Sequence, residues 1–119
     1  GETAQWPLGL AWLSICYSKM AEYGREFDLG RQPIHLSWEE RVGYFRKSVE
    51  YFELLEKAMT PEGFVPEMWV GEQLGHNTPL AWAQSFHIIA AQMLINLTHK
   101  HGEHFRLPAH VRKGGLATA

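Results

Sequence analysis

The chain has 119 residues, with 11 Lys and Arg against 13 Asp and Glu and a formal net charge of -2 at pH 7. That length confines it to one domain at most, and the lack of an evident basic face argues against a nucleic-acid partner. The single cysteine, Cys16, cannot close an internal disulfide. In an apolar helical stretch it is expected to be buried, inert packing.

The residues Gly1-Glu2 are acidic and offer no basic n-region of a signal peptide, which favours a cytoplasmic setting without fixing the compartment. The start without Met suggests a fragment or a processed chain. The first helix is expected over residues 5–23. Pro7 suits its first turn, where a missing N–H costs nothing, and Gly24 suits its end. Its apolar residues, among them Trp6, Leu8, Leu10, Trp12, Leu13, Ile15 and Met20, fall all the way round. A helix of that kind is expected to be buried on every side.

The second helix is expected over residues 38–59. Ser37-Trp38-Glu39-Glu40 forms a capping box, in which Ser37 accepts from a backbone N–H and Glu40 reaches back. Trp38, Val42, Phe45, Val49, Phe52, Leu55 and Met59 then make one apolar stripe, with charged residues elsewhere, so this helix belongs to an outer layer.

Residues 60–77 form a long connection, and its centre reads PEGFVPEMWVGEQLGHN. Connections of that length inside compact domains are usually functional or disordered, and Phe64, Val65, Met68, Trp69 and Val70 argue against disorder. Glu62, Glu67 and Glu72 stand among the aromatic residues Phe64 and Trp69. Carboxyls can act as acid, base or hydroxyl acceptor, and flat rings stack on sugar faces, so carbohydrate chemistry is indicated. The alternative is a solvated acidic loop.

The third helix is expected over residues 79–100, with Thr78 as cap and Pro79 in the first position. No Asp, Glu, Lys or Arg occurs from Gln73 to Thr98. A membrane span is the rival, but Gln84, Ser85, His87, Gln92 and Asn96 would be costly in lipid. A second inner helix is preferred, with His87 a hydrogen-bonded core residue. His99, His101, Glu103 and His104 cluster without a standard zinc spacing, so no metal is expected. No Gly-rich phosphate loop or other cofactor motif is present. Residues 1–101 make up the domain, and residues 102–119 a polar tail expected to fray.

The fold class is therefore all-α. Two helices apolar on every side and one amphipathic helix cannot satisfy one another. The chain is expected to pack on further helical segments or to form a homo-oligomer. The first and third helices should run parallel, with the second antiparallel to both. Their N-terminal ends then share one rim, which brings Glu2, Gln5 and Trp6 near the connection that carries Glu67, Trp69 and Glu72.

Three stretches carry a family resemblance. They are Val65-Pro66-Glu67-Met68-Trp69, then Gly71-Glu72-Gln73-Leu74, then Thr78-Pro79-Leu80-Ala81-Trp82-Ala83-Gln84-Ser85, with Gln5-Trp6-Pro7-Leu8-Gly9 as weaker support. They resemble the closing part of the six-hairpin (α/α)6 barrel of the glucoamylase family, glycoside hydrolase family 15. The similarity covers about residues 2–98. It implies an inverting hydrolase of α-glucosides in which Glu67 is the general base. Trp6, Trp69, Glu72 and Trp82 become candidates to contact a glucan or oligosaccharide substrate, and for Trp82 core packing is an equal alternative.

Two departures from the family stand out. Met68 replaces a frequent Gln. The family's general acid belongs to an earlier helical hairpin that has no counterpart here, whereas inversion needs two carboxyls roughly 6.5–9.5 Å apart. The isolated chain is therefore expected to be inactive. The α and β subunits of phosphorylase kinase look similar in this region too, which implies the alternative of a non-catalytic interaction or regulatory module.

Overall fold

The computed structural model describes residues 4–5, 7–26, 30, 34–59, 69–70, 73–74 and 81–113. A two-residue strand β1 (Ala4–Gln5) precedes helix α1 (Pro7–Tyr23), which starts at the proline. Gly24 ends α1 with φ +65°, and its N–H donates to the Met20 carbonyl at 3.0 Å. Arg41 then closes the helix end: Nε donates to the Ala21 carbonyl at 2.6 Å and Nη2 to the Glu22 carbonyl at 2.7 Å. The last carbonyls of a helix lack partners and carry partial negative charge, so a guanidinium there satisfies both needs. A Cβ at Gly24 would lie 3.2 Å from both Cδ and Nε of Arg41, so the glycine serves the left-handed turn and the close approach together.

A short antiparallel pair leads on, β2 (Arg25–Glu26) against β3 (Ile34–His35), with Arg25 opposite His35. Helix α2 (Trp38–Lys57) follows from the expected capping box: the Glu40 N–H donates to Ser37 Oγ and the Ser37 N–H to Glu40 Oε1, each at 3.2 Å. Phe45, Val49, Phe52 and Leu55 of the apolar stripe are buried.

Helices α1 and α2 lie antiparallel, since Ala21 meets Arg41 while Ser14 meets Ser48. Their contact line is made of small residues. Ala11, Ser14, Ser18 and Ala21 are spaced three or four apart and fully buried, and Ser48 faces them, also fully buried. Short side chains let two helices come close. The hydroxyls are satisfied within the seam: Ser48 Oγ donates to the Ser14 carbonyl at 2.7 Å, Ser14 Oγ donates to the Ser48 carbonyl at 3.0 Å, and Ser18 Oγ lies 2.6 Å from Ser48 Oγ. Tyr17 covers one flank, stacked against both Tyr44 and Tyr51.

Strands β4 (Trp69–Val70) and β5 (Gln73–Leu74) precede helix α3 (Ala81–Lys100). The expected cap Thr78-Pro79 lies outside the described residues. Helix α3 packs on the opposite flank through Phe86 against Trp12 and His87 against Phe52. Its far end meets the start of α2, where Trp38 touches His101. The third helix thus runs antiparallel to α2 and parallel to α1, as expected. Among the described residues, no helix is long and apolar enough to cross a membrane.

The fold is all-α, as expected. Four details of the expectations need correction. First, the regular structure is not purely helical, because among the described residues five two-residue strands accompany the helices. Pairings that short leave no period-two pattern in a sequence. Second, within this chain alone α1 and α3 are not buried all round. Trp12 is 45% exposed, Leu13 41%, Ile88 60% and Ile89 44%. Serine and alanine occupy the seam, so bulky apolar side chains of α1 are turned outward. Third, Cys16 is exposed for the same reason. Fourth, the chain after Gly102 does not fray at once. Phe105, Leu107 and Val111 belong to the core, Phe105 stacks on Phe45 with centroids 4.9 Å apart, and helix α4 (Ala109–Lys113) follows.

The seam yields a test. Ser48→Ala removes an added donor to the Ser14 carbonyl and the partner of Ser18, leaving the buried Ser18 hydroxyl unpaired. Such losses cost about 1–3 kcal/mol, and a lower urea midpoint at unchanged slope is expected. An unaltered midpoint would mean that the hydroxyl network adds nothing to stability.

Candidate functional site

The place where α1 begins is tied to the long connection through backbone pairing. Strand β1 is antiparallel to β4, with Ala4 opposite Val70 and Gln5 opposite Trp69. Strand β4 is in turn antiparallel to β5, with Trp69 opposite Leu74 and Val70 opposite Gln73. The three strands form one small sheet in the order β1-β4-β5. Directly opposed residues in such a sheet have Cα atoms about 4.5–5.5 Å apart. The segment leading into α1 and the segment following α2 are therefore neighbours.

The expected neighbourhood of the starts of α1 and α3 is present in outline. Trp12 and Phe86, each within the first two turns of its helix, meet with ring centroids 5.9 Å apart. The N-terminal halves of α1 and α3 thus lie side by side, and Trp82 falls in the first turn of α3. The sheet brings Gln5 and Trp69 together at the backbone. The candidate base Glu67, the alternative carboxyls Glu72 and Glu62, and Trp6 lie outside the described residues, as do the side chains of Trp69 and Trp82.

The described ionisable groups lie elsewhere, and several were not foreseen. Trp38 carries the Arg41 guanidinium 3.9 Å from its ring centroid and the stacked His104 imidazole, also at 3.9 Å. His101 meets Trp38 edge-on. Two of the clustered terminal histidines thus act as aromatic plates. Among the described residues, no three His, Cys, Asp or Glu side chains converge in a way that could hold a metal ion. Desolvation pushes the Arg41 guanidinium below its ordinary value.

On the outer face, His110 Nε2 lies 2.7 Å from Glu53 Oε1 and ties α4 to α2. The neighbouring Glu56 carboxyl is raised, by burial first and by the Glu53 charge second. A cavity of about 410 Å³ opens beside this link, floored by Phe45, Val49 and Leu107. Another of about 510 Å³ lies at the far end of α1, against Lys19, Met20, Tyr23 and Arg25. The latter is at the end of α1 opposite the rim.

His87 departs from expectation. It sits against Phe52 with parallel rings 5.4 Å apart, but neither ring nitrogen finds a hydrogen-bond partner although both are buried. Burial holds its pKa below the ordinary imidazole value. No sequence pattern distinguishes a stacked, unpartnered histidine from a hydrogen-bonded one.

Comparison with known protein families, with curated proteins and with solved structures finds no match to this chain.

The pairing of β1 with β4 can be trapped. With Cys16→Ser to remove the exposed thiol, the double variant Ala4→Cys and Val70→Cys places two thiols on opposed residues. Their expected separation falls within the roughly 4.4–6.8 Å Cα range of disulfides. Mild oxidation should close an intramolecular bridge, seen as a mass loss of two hydrogens and faster migration on a non-reducing gel. Free thiols after oxidation of the folded chain would place the two segments apart.

Proposed function

We propose that this chain is the closing part of a larger helical barrel that hydrolyses α-glucosides with inversion, and that Glu67 is its general base. The observation that carries this proposal is the pairing of Ala4–Gln5 with Trp69–Val70. It joins the start of one inner helix to the acidic, aromatic connection that precedes the next, at the rim where a barrel of this kind would hold its sugar.

Two further features support it. The parallel α1 and α3 with α2 antiparallel to both suit an inner, outer, inner order. The bulky apolar residues turned outward on α1 and α3, including Trp12, Leu13, Ile88 and Ile89, suit cover by further helical segments. A general base must hold water against the anomeric carbon while aromatic faces fix the sugar ring. Glu67 between Pro66 and Trp69 has the residue types for that work, and Trp6, Trp69, Glu72 and Trp82 are the proposed sugar contacts. The general acid would come from another hairpin of the same barrel.

Replacing Glu67 by Gln in the full-length protein removes the base and keeps the shape. Turnover of maltose-type substrates should fall by about 10²–10⁴-fold, the usual contribution of general base catalysis. Binding of a non-hydrolysed oligosaccharide, followed by tryptophan fluorescence, should remain. An unchanged rate would withdraw the base assignment and favour a non-catalytic helical module that binds a partner or glycan.

A further inference from the structure

His87 is placed where protonation should matter. Its ring lies flat against Phe52 of α2, and both nitrogens are buried without a hydrogen-bond partner. A neutral imidazole tolerates that setting, because stacking on an aromatic ring offsets part of the lost hydration. An imidazolium does not, since two N–H donors and a charge would be confined with no acceptor among the described residues.

Among the described residues, the groups around it offer no relief. Within four residues of His87 on α3 there is no ionisable side chain. On α1, the half that packs on α3 carries Leu8, Ala11, Trp12 and Ile15, and its only ionisable side chains are the exposed Cys16 and Tyr17, which stacks on the far flank. On α2 the ionisable residues within four positions of Phe52 are Glu50, Tyr51, Glu53 and Glu56, and Tyr51 stacks on Tyr17. Glu53 is bonded to His110, and Glu56 is itself held towards its neutral form by burial. Burial holds the His87 pKa below its ordinary value.

We propose that His87 is an acid-sensitive pivot: neutral, it seats α3 on the α1–α2 pair, and protonated, it loosens that helix. This inference rests on the packing of α2 against α3 alone and is independent of the proposed hydrolytic role. The sign follows from linkage. The native chain binds the His87 proton more weakly than the unfolded chain, whose imidazole titrates near about 6.5. The contribution to stability is therefore complete above that pH. It declines as pH falls through about 6.5 and stops declining below the depressed native value.

Hydrogen exchange by NMR over about pH 7.5 to 5, corrected for intrinsic rates, tests this in the full chain. Protection factors of α3 amides near His87 should fall by up to about tenfold per pH unit, the limit for one proton taken up on opening. Those of the α1–α2 seam should fall less. His87→Phe keeps a flat ring against Phe52 and should abolish the difference. Equal losses in the wild type and the variant would overturn the proposal. If the variant does not fold, titration of the wild-type His87 ring resonances decides: a midpoint below about 6.5 supports the pivot, and one at or above it overturns it.

Discussion

The close contact of α1 with α2 is the constraint on which the rest of the molecule depends. It is built from Ala11, Ser14, Ser18 and Ala21 on one helix and Ser48 on the other, all fully buried. A seam of large aliphatic side chains would hold the helices farther apart, whereas this one brings them near enough for side-chain hydroxyls to reach backbone carbonyls across the interface. Buried hydroxyls are costly unless paired, so the network imposes a single register as well as cohesion. Arg41 fixes the same register from the other end by capping the last carbonyls of α1.

The seam also decides where the bulky residues go. With small residues facing α2, Leu8 of α1 is left for the core, while Trp12, Leu13 and Cys16 turn outward. The second apolar face of α2 then needs another partner. It receives one from α3 and from the returning chain, where Phe105 stacks on Phe45 and Leu107 and Val111 complete the layer. The parallel run of α1 and α3 follows from both being antiparallel to α2. It sets their N-terminal halves side by side and, with the β1–β4 pairing, defines the rim to which the proposed chemistry belongs.

Where the chemistry of a few adjacent residues decides the structure, the sequence was legible. Ser37 with Glu40 marked the start of α2 and Gly24 the end of α1, whereas α1 was expected from residue 5 and begins at Pro7, with Gln5 in strand β1. The neighbourhood of Gln5 and Trp69 also followed, from helix directions alone. Features decided by distant packing were not legible. Ser14, Ser18 and Ser48 read as polar positions, and only the facing helix shows that their hydroxyls are satisfied. Phe105, Leu107 and Val111 stand among histidines, glycine and arginine, and that polarity concealed a core segment. The histidines near the end of α3 suggested a metal or nothing, and Trp38, more than sixty residues earlier, gives two of them their role. Of the candidate site, the proximity of Gln5 to Trp69 was legible but the strand pairing that creates it was not, and the candidate base Glu67 is read from residue types and the family resemblance.

If the seam is the keystone, stability should be graded across the helices, because α3 is held by side-chain packing on one flank and carries an unpaired imidazole in that contact. Native-state hydrogen exchange at neutral pH with increasing denaturant measures this directly. The amides around Ser14 to Ser18 and Ser48 to Phe52 should exchange only through global unfolding, and those around His87 through a smaller opening of lower free energy. If the amides of α3 prove as strongly protected as those of the seam, or more so, the α1–α2 contact is not what the rest of the structure depends on.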